Sequence, residues 1–469
     1  MQYVSTRGSA PVLGFEEALL AGLARDGGLY LPETWPAMSP AEIAALAGLP
    51  YGEAAARIMY PFLGPGWTEA EFAQLTREAY ATFSHDAVAP LVQLSASQWV
   101  LELFHGPTLA FKDLAMQLLA RLMDRALTRR DRRVTIVGAT SGDTGGAAIE
   151  AFRGRGNIDI FILHPHGRVS DVQRRQMTTA RENNVHNLAV EGTFDDCQSI
   201  VKALFNDLAL RDRLSLAAVN SINWARIMAQ TVYYFTSAVA LGSPHRSVCF
   251  SVPTGNFGDI FAGYAARRMG LPVSRLAIAT NINDILVRAL HTGRYESRDV
   301  VATSSPSRDI QVSSNFERLI FEASGRDAAH VRALMDEFAD KGGFGFSRNM
   351  LDHIRILFSA CRADEAQTAA TIARVLGRSG YMADPHTAVG LFAAEQMQQS
   401  GEPVITLATA HPAKFPDAVE RACGERPSQP DRLRAAMNAE EHYDVIAADK
   451  DTVAAFIESR ARAAVEAAP

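Results

Sequence analysis

An amine that can lose its proton and attack a carbonyl is uncommon in this chain. Of 46 basic residues only 5 are lysines (Lys112, Lys202, Lys341, Lys414 and Lys450), against 41 arginines. Where arginine fills most basic positions, a lysine marks a place where a guanidinium will not serve. The plain alternative, for most of the five, is chance on a solvated helix face. Lys112 stands apart. It lies in LELFHGPTLAFKDLAMQLL (101–119), where a strand runs through Gly106-Pro107 into a helix with apolar residues at 114, 115, 118, 119 and 122. The dipole at a helix start disfavours a cation. The same field favours the deprotonated amine that a nucleophile requires.

Four other loops carry polar groups at strand ends. In SVPTGNFGD (251–259) a strand, a glycine turn and a helix follow one another. Gly255 and Gly258 permit close approach, and the N–H groups opening the helix form an anion site around Asn256, Phe257 and Asp259. The turn has no lysine and no GxxxxGK[ST], so it is not a Walker loop. Backbone amides suit a phosphate that stays bound; the alternative is a plain tight turn. In RRVTIVGATSGDTGGAAIEAF (132–152), Thr140, Ser141 and Thr144 alternate with Gly142, Gly145 and Gly146. The spacing GxxxGxxG at 138–145 resembles a dinucleotide fingerprint. However, the next strand ends in histidines instead of a ribose-holding acid, and Asp143 would face a pyrophosphate. A smaller carboxylate or phosphate fits better. In VNSINWARIMAQ (219–230), Asn220, Ser221 and Arg226 combine amide, hydroxyl and guanidinium, a set suited to a phosphate; helix capping with a surface arginine is the alternative. In PVITLATAHPAKFP (403–416), a strand ends in Thr409, whose hydroxyl could pair with one heteroatom of a flat ligand. None of the 12 histidines has convincing metal-ligand spacing, and the HxH at 164–166 is weak by itself, so no metal is expected.

The elements that position these loops follow from patterning. QWVLELF, RRVTIVGA, NIDIFILH, NVHNLAVE, LSLAAVN, SVCFSVP, RLAIAT and PVITLAT read as strands, most followed by helical patterns. Such alternation implies an α/β architecture with largely parallel sheets. Ligands of such sheets bind beyond the carboxyl ends of strands. Residues 1–95 read as mostly helical. Residues 295–325 are Ser-rich and aperiodic, as in a surface excursion or mobile loop. The stretch 429–469 reads as an extension of helix and short strand.

The bulk numbers narrow the class. The chain has 469 residues, 48% hydrophobic and 21% charged, with net charge -6. It is long enough for two or three domains. There is no broad basic field for nucleic acid or an anionic membrane. The four cysteines form no CxxC pair and are expected to be free thiols. No signal segment or bilayer-length apolar run is evident, and a cytoplasmic protein is expected.

Six motifs, GPTLAFKD, GATSGDTG, NSINWARI, PTGNFGD, DPHTAVG and TAHPAKFP, resemble those of the threonine synthase family in order. MQYVSTRG and ARDGGLYLPE resemble its N-terminal domain, so the likeness covers nearly the whole chain. It implies a pyridoxal 5'-phosphate (PLP) enzyme of fold type II, with two α/β domains and a mostly helical N-terminal domain. The implied boundaries are 1–95, a catalytic region 96–428 with a small subdomain at about 121–222, and the extension 429–469. The resemblance implies that Lys112 carries the cofactor and shuttles protons. Gly255, Asn256, Phe257 and Gly258, with Asp259 at the edge, would hold its phosphate, and Thr409 its pyridine nitrogen. Thr140, Ser141 and Thr144 would meet the substrate's carboxylate or phosphate, while Asn220, Ser221 and Arg226 would bind the substrate phosphate. Asp143 stands where relatives often carry Asn, facing the cofactor's 3′-oxygen, and its role stays open. The implied reaction converts O-phospho-L-homoserine and water to L-threonine and phosphate, by a monomer or homodimer. The competing readings are a serine or threonine dehydratase, a non-catalytic PLP or phosphometabolite binder, and, from the glycine loop alone, a nicotinamide-dependent oxidoreductase.

Overall fold

The computed structural model describes residues 1–140, 142–397 and 401–465. The chain divides into two compact units. One comprises Met1–Ala18, Leu23–Phe111 and Ser221–Ser428; the other comprises Leu19–Gly22, Lys112–Asn220 and Gln429–Pro469.

The larger unit is built on a six-stranded sheet. Its order is Phe358–Arg362, Val273–Thr280, Val248–Pro253, Val404–Ala408, Gln98–Glu102 and Leu91–Gln93. The first five strands are mutually parallel and only Leu91–Gln93 runs antiparallel. Every residue of Val248–Pro253 and of Val404–Ala408 is buried. That burial explains their unbroken apolar runs, since helices cover both faces of a parallel sheet. Helix Pro385–Glu395 lies close on this sheet at Gly390, where a Cβ would come within 2.9 Å of Pro253 and Thr406 side chains. Because the five strands share a direction, the loops after Glu102, Pro253, Thr280 and Ala408 leave from one edge.

The N-terminal region carries helices Pro40–Ala44, Tyr51–Met59 and Glu69–Tyr80, as the periodicity predicts. It also holds a three-stranded antiparallel sheet of Leu13–Gly14, Gln2–Ser5 and Tyr30–Pro32. Strands of two to four residues are too short to show an alternating pattern. Long-range anchors hold them, such as the Tyr3 hydroxyl donating to the Phe62 carbonyl at 2.7 Å.

The smaller unit has a five-stranded, wholly parallel sheet. Its order is Asp444–Ala447, Val185–Glu191, Ile158–Pro165, Val134–Ala139 and Leu216–Ala217. Val137, Phe161, Leu163, Leu188 and Val190 pack on Cys197, Ile200 and Leu204, and on Val453 and Ile457 of the C-terminal segment. Residues 429–469 therefore supply both an edge strand and core side chains. The Arg462 guanidinium and the buried Asp159 carboxylate pair at 2.7 Å and tie this segment down. All four cysteines are free.

His164, near the end of Ile158–Pro165, is 1% exposed, and burial pushes its pKa down to about 4. The unfolded chain takes up that proton below about 6.5. The unfolded state therefore binds more protons between about 6.5 and 4, and the fold loses stability as pH falls through that window. Urea midpoints measured from about pH 7 to about pH 5 should fall less steeply for His164→Phe than for the wild type. Equal slopes would show that His164 is not a source of the dependence.

Candidate active site

Lys112 is the first residue of the helix Lys112–Arg129. The chain reaches it through a pinned segment. The Phe111 N–H donates to the Thr409 carbonyl at 2.9 Å, the His411 N–H donates to the Leu109 carbonyl at 3.0 Å, and Ala110 bridges Ala410. Leu109 has φ 59°, a left-handed conformation that a leucine rarely adopts. Such a residue persists only where its surroundings hold it, as here.

In the smaller unit, the Lys112 Nζ lies 3.9 Å from Asp143 Oδ2, with the two side chains 12% and 4% exposed. Asp143 opens the helix Asp143–Phe152, where the dipole favours a carboxylate. Its Oδ1 accepts from Gln173 Nε2 at 3.0 Å, and Gln173 Oε1 accepts from the Ser170 hydroxyl at 3.0 Å. Gly142 makes room for this arrangement: a Cβ there would sit 2.4 Å from the Gln173 amide. The role of Asp143 that the sequence left open is thereby given a geometry, a carboxylate that faces the lysine and is itself held by an amide. The Thr140 hydroxyl accepts from the N–H groups of Gly142 and Gly145, both at 3.0 Å, and donates to the Gly142 carbonyl. It shapes the loop from inside. Thr144 is half-buried. Ser141 lies outside the described residues.

In the larger unit, the turn after Val248–Pro253 has its carbonyls engaged. The Gly255 carbonyl accepts from the Ser313 hydroxyl at 2.6 Å. The Asn256 carbonyl accepts from the Asn315 N–H at 3.0 Å and from its side-chain amide at 2.9 Å. In a trans peptide the N–H points opposite to its carbonyl. The N–H groups of Asn256 and Phe257 therefore turn away from Ser313 and Asn315, joining those that open helix Gly258–Arg268. Phe257 holds φ 63°, and its ring packs edge-on against Phe316 with centroids 5.0 Å apart, so it offers the turn only its backbone. Gly255 is required, because a Cβ would meet the Ser307 carbonyl at 2.8 Å. Asp259 is buried and accepts from the hydroxyls of Tyr233 and Tyr234. Its carboxylate anchors this helix to Trp224–Ala240. Burial and that carboxylate push both tyrosines up.

Asn223 caps Trp224–Ala240, accepting from the Ala225 N–H at 3.0 Å. Arg226, in its first turn, is 3% exposed, and burial pushes its pKa down to about 10. It is not the surface arginine of the capping alternative. The adjacent Ile227 side chain lies 3.3 Å from a Cβ built on Gly258, so helix and turn are neighbours. Asn220 is exposed and Ser221 half-buried. Thr409, at the strand end, is buried, and its Oγ1 accepts from Arg308 Nη2 at 3.2 Å.

The segment 295–325 is a surface excursion only in part: residues 298–302 are exposed, but the stretch then turns inward. Ser305, Arg308, Gln311, Ser313 and Asn315 are all buried. Three of them were missed by sequence reasoning and support the site directly: Arg308 at Thr409, and Ser313 and Asn315 behind the turn. The one signal available was an aperiodic stretch rich in hydroxyls and amides. Gln173 was missed as well. Among the described residues there is no cluster of His, Cys, Asp or Glu able to hold a metal.

The lysine amine of the smaller unit, and the amide turn and strand-end hydroxyl of the larger unit, are each groups of a kind that PLP requires. Comparison with known proteins agrees. The family model described as "Threonine synthase N terminus" matches residues 2–80, "Pyridoxal-phosphate dependent enzyme" residues 84–410, and "Threonine synthase, C-terminal" residues 387–457. The chain is 55% identical to a threonine synthase of Pseudomonas aeruginosa, over 97% of this chain and 98% of that one. This chain belongs to the threonine synthase family. A PLP-bound threonine synthase from Brucella melitensis superposes with TM-score 0.97 at 60% identity, covering 98% of this chain and 100% of that one. The threonine synthase of Saccharomyces cerevisiae is 43% identical over 90% of this chain and 88% of its own. This family member is a PLP-dependent lyase of fold type II with threonine synthase activity. The dehydratase and non-catalytic alternatives are not favoured.

Proposed function

We propose that this member of the family converts O-phospho-L-homoserine and water to L-threonine and phosphate through the residues named above. One observation carries the residue assignment. The larger unit has two sets of groups suited to an anion in neighbouring elements, the amide turn at Gly255–Gly258 and the buried guanidinium of Arg226. A cofactor phosphate needs one; a substrate phosphate needs the second. A dehydratase substrate has no phosphate and would need only one.

PLP supplies an electron sink for charge left when C–H bonds near the substrate amino group break. The chain's own residues do the rest. The Lys112 amine takes the α-proton and returns protons, with Asp143 balancing its charge and Gln173 holding Asp143. The turn at Gly255, Asn256, Phe257 and Gly258 grips the cofactor phosphate, and Asp259 fixes the helix behind it. Thr409 faces the pyridine nitrogen. In the larger unit Arg226 and Ser221 hold the leaving phosphate and stabilise charge as the γ-carbon–oxygen bond breaks; Thr144 and Asn220 are the smaller unit's groups for the substrate. Thr140 shapes its loop beside Ser141. The oxygen of water ends on the β-carbon, and threonine leaves. The net charge of -6 favours this small-molecule role over nucleic-acid or membrane binding; a cytoplasmic location and a monomer or homodimer go with the same reading.

The test is a product assay. O-phosphohomoserine should yield threonine and phosphate one for one, with phosphate a competitive inhibitor. An oxoacid formed from serine or threonine, with no phosphate release from phosphohomoserine, would overturn the reading. Gly255→Ala should weaken PLP binding by roughly tenfold, since overpacking costs about 1–3 kcal/mol. A PLP titration followed by visible absorbance checks this; an unchanged affinity would place the phosphate elsewhere.

A further inference from the structure

We infer that Arg308 is a positioning residue that commits the Thr409 hydroxyl to donate its proton, and so keeps the pyridine nitrogen of the cofactor unprotonated. The inference rests on the reading that Thr409 faces that nitrogen.

A threonine hydroxyl alone can play two parts. It can donate to a neutral pyridine, or rotate and accept from a pyridinium N–H. Its own chemistry does not choose. A guanidinium, in contrast, only donates. Arg308 Nη2 is 3.2 Å from Thr409 Oγ1, and the two residues are 5% and 3% exposed. On the side facing Arg308 the hydroxyl must accept, so its proton is directed elsewhere. A fixed positive charge beside the hydroxyl also disfavours a second cation at the nitrogen, because burial leaves little water to screen the pair.

Arg308 is held where it can do this. Its N–H donates to the Ser305 carbonyl at 2.9 Å, and its guanidinium carbon lies 6.0 Å from the centre of the Phe111 ring. Nη1 is 3.5 Å from a Cβ built on Gly255, so the same side chain borders the amide turn. The preceding residue is anchored from a distant motif. The Ser307 N–H donates to His386 Nε2 at 3.2 Å, and His386 Nδ1 lies 2.6 Å from Asp384 Oδ2. Because Nε2 accepts, the ring proton sits on Nδ1 and points at the carboxylate, which defines the tautomer. Asp384 and His386 are buried, and they belong to the DPHTAVG stretch, for which the sequence showed no chemical task. The series Asp384, His386, Ser307, Arg308, Thr409 thus runs through one unit and ends at the group that would touch the cofactor ring. With a neutral ring the electron sink is tempered, and proton movement falls to Lys112.

The experiment uses holoenzyme loaded with PLP carrying nitrogen-15 in the ring, read by NMR. The wild type should show a neutral, hydrogen-bonded nitrogen across the range of active pH. Arg308→Met should retain PLP on Lys112, shift the signal toward the protonated value as pH falls, and lower kcat roughly tenfold with KM little changed. Arg308→Lys, also a pure donor, should restore part of the wild-type signal. A protonated nitrogen in the wild type overturns the proposal without any variant. It is also overturned if Arg308→Met leaves the signal unmoved while Thr409→Val moves it. If neither variant moves it, Thr409 does not face the nitrogen, and the underlying site assignment fails as well. Phosphate release by the wild type, measured separately, keeps the reaction itself apart from both results.

Discussion

Lys112→Ala should lower turnover by roughly 10³-fold or more, the upper part of what a positioned proton-transfer group contributes. On the proposed reading the lysine has two tasks, holding the cofactor covalently and moving the α-proton. Lys414 is buried too, but its Nζ donates to the Thr108 carbonyl at 2.8 Å and braces the loop before Lys112. The substitution removes a partner of Asp143 but opens only a small space, so the fold should survive. Borohydride reduction and peptide mapping read the anchor directly. The wild type should carry the fixed adduct on Lys112, and the alanine variant should carry none. Wild-type turnover in the variant, or an adduct on Lys414, would remove Lys112 from the centre of the site.

Arg226→Met should lower kcat/KM by roughly tenfold to a hundredfold, since a charged hydrogen bond contributes about 1.5–3 kcal/mol. The loss should be accompanied by weaker inhibition by product phosphate, because on the proposed reading the same guanidinium holds the ion before and after cleavage. Burial pushes the pKa of Arg226 down to about 10, and the Tm of the variant separates a lost contact to phosphate from a lost support of the fold. A lower Tm with unchanged kcat/KM would make Arg226 a structural residue. Arg226→Lys should not restore full activity, because an ammonium cannot make the planar two-point contact of a guanidinium.

Much of the site was legible because its signals are local. The stretches QWVLELF through PVITLAT all contain strands, since apolar runs covered on both faces have few alternatives. The glycine turn at 255–258 and the lysine at a helix start could be read from a few adjacent residues. Phe358–Arg362, by contrast, was not picked out; two of its five residues are the polar Ser359 and Arg362, and it pairs at the sheet edge. Residues 429–469 read as a separate extension, yet Ile446, Val453 and Ile457 complete the core of the smaller unit. A strand and a helix packing on residues some 250 positions earlier in the chain leave no periodic trace of that destination.

The sequence alone carried the motifs: six ordered stretches whose resemblance to the threonine synthase family implied a PLP enzyme acting on a phosphorylated substrate, beside a lysine expected at a helix start and a glycine turn without a Walker lysine. These features are patterns of residue type at short spacing, and short spacing survives in one dimension. The tertiary structure decided what each polar group does. Thr140 and Thr409 look alike as strand-end threonines, but one is engaged within its own loop and the other accepts from a buried arginine 101 residues away. Arg308, Ser313 and Asn315 belong to an aperiodic stretch whose partners lie at Gly255, Asn256 and Thr409. A hydrogen bond needs a partner at about 3 Å, and only folding brings distant partners to that distance and removes the water that would otherwise compete for them.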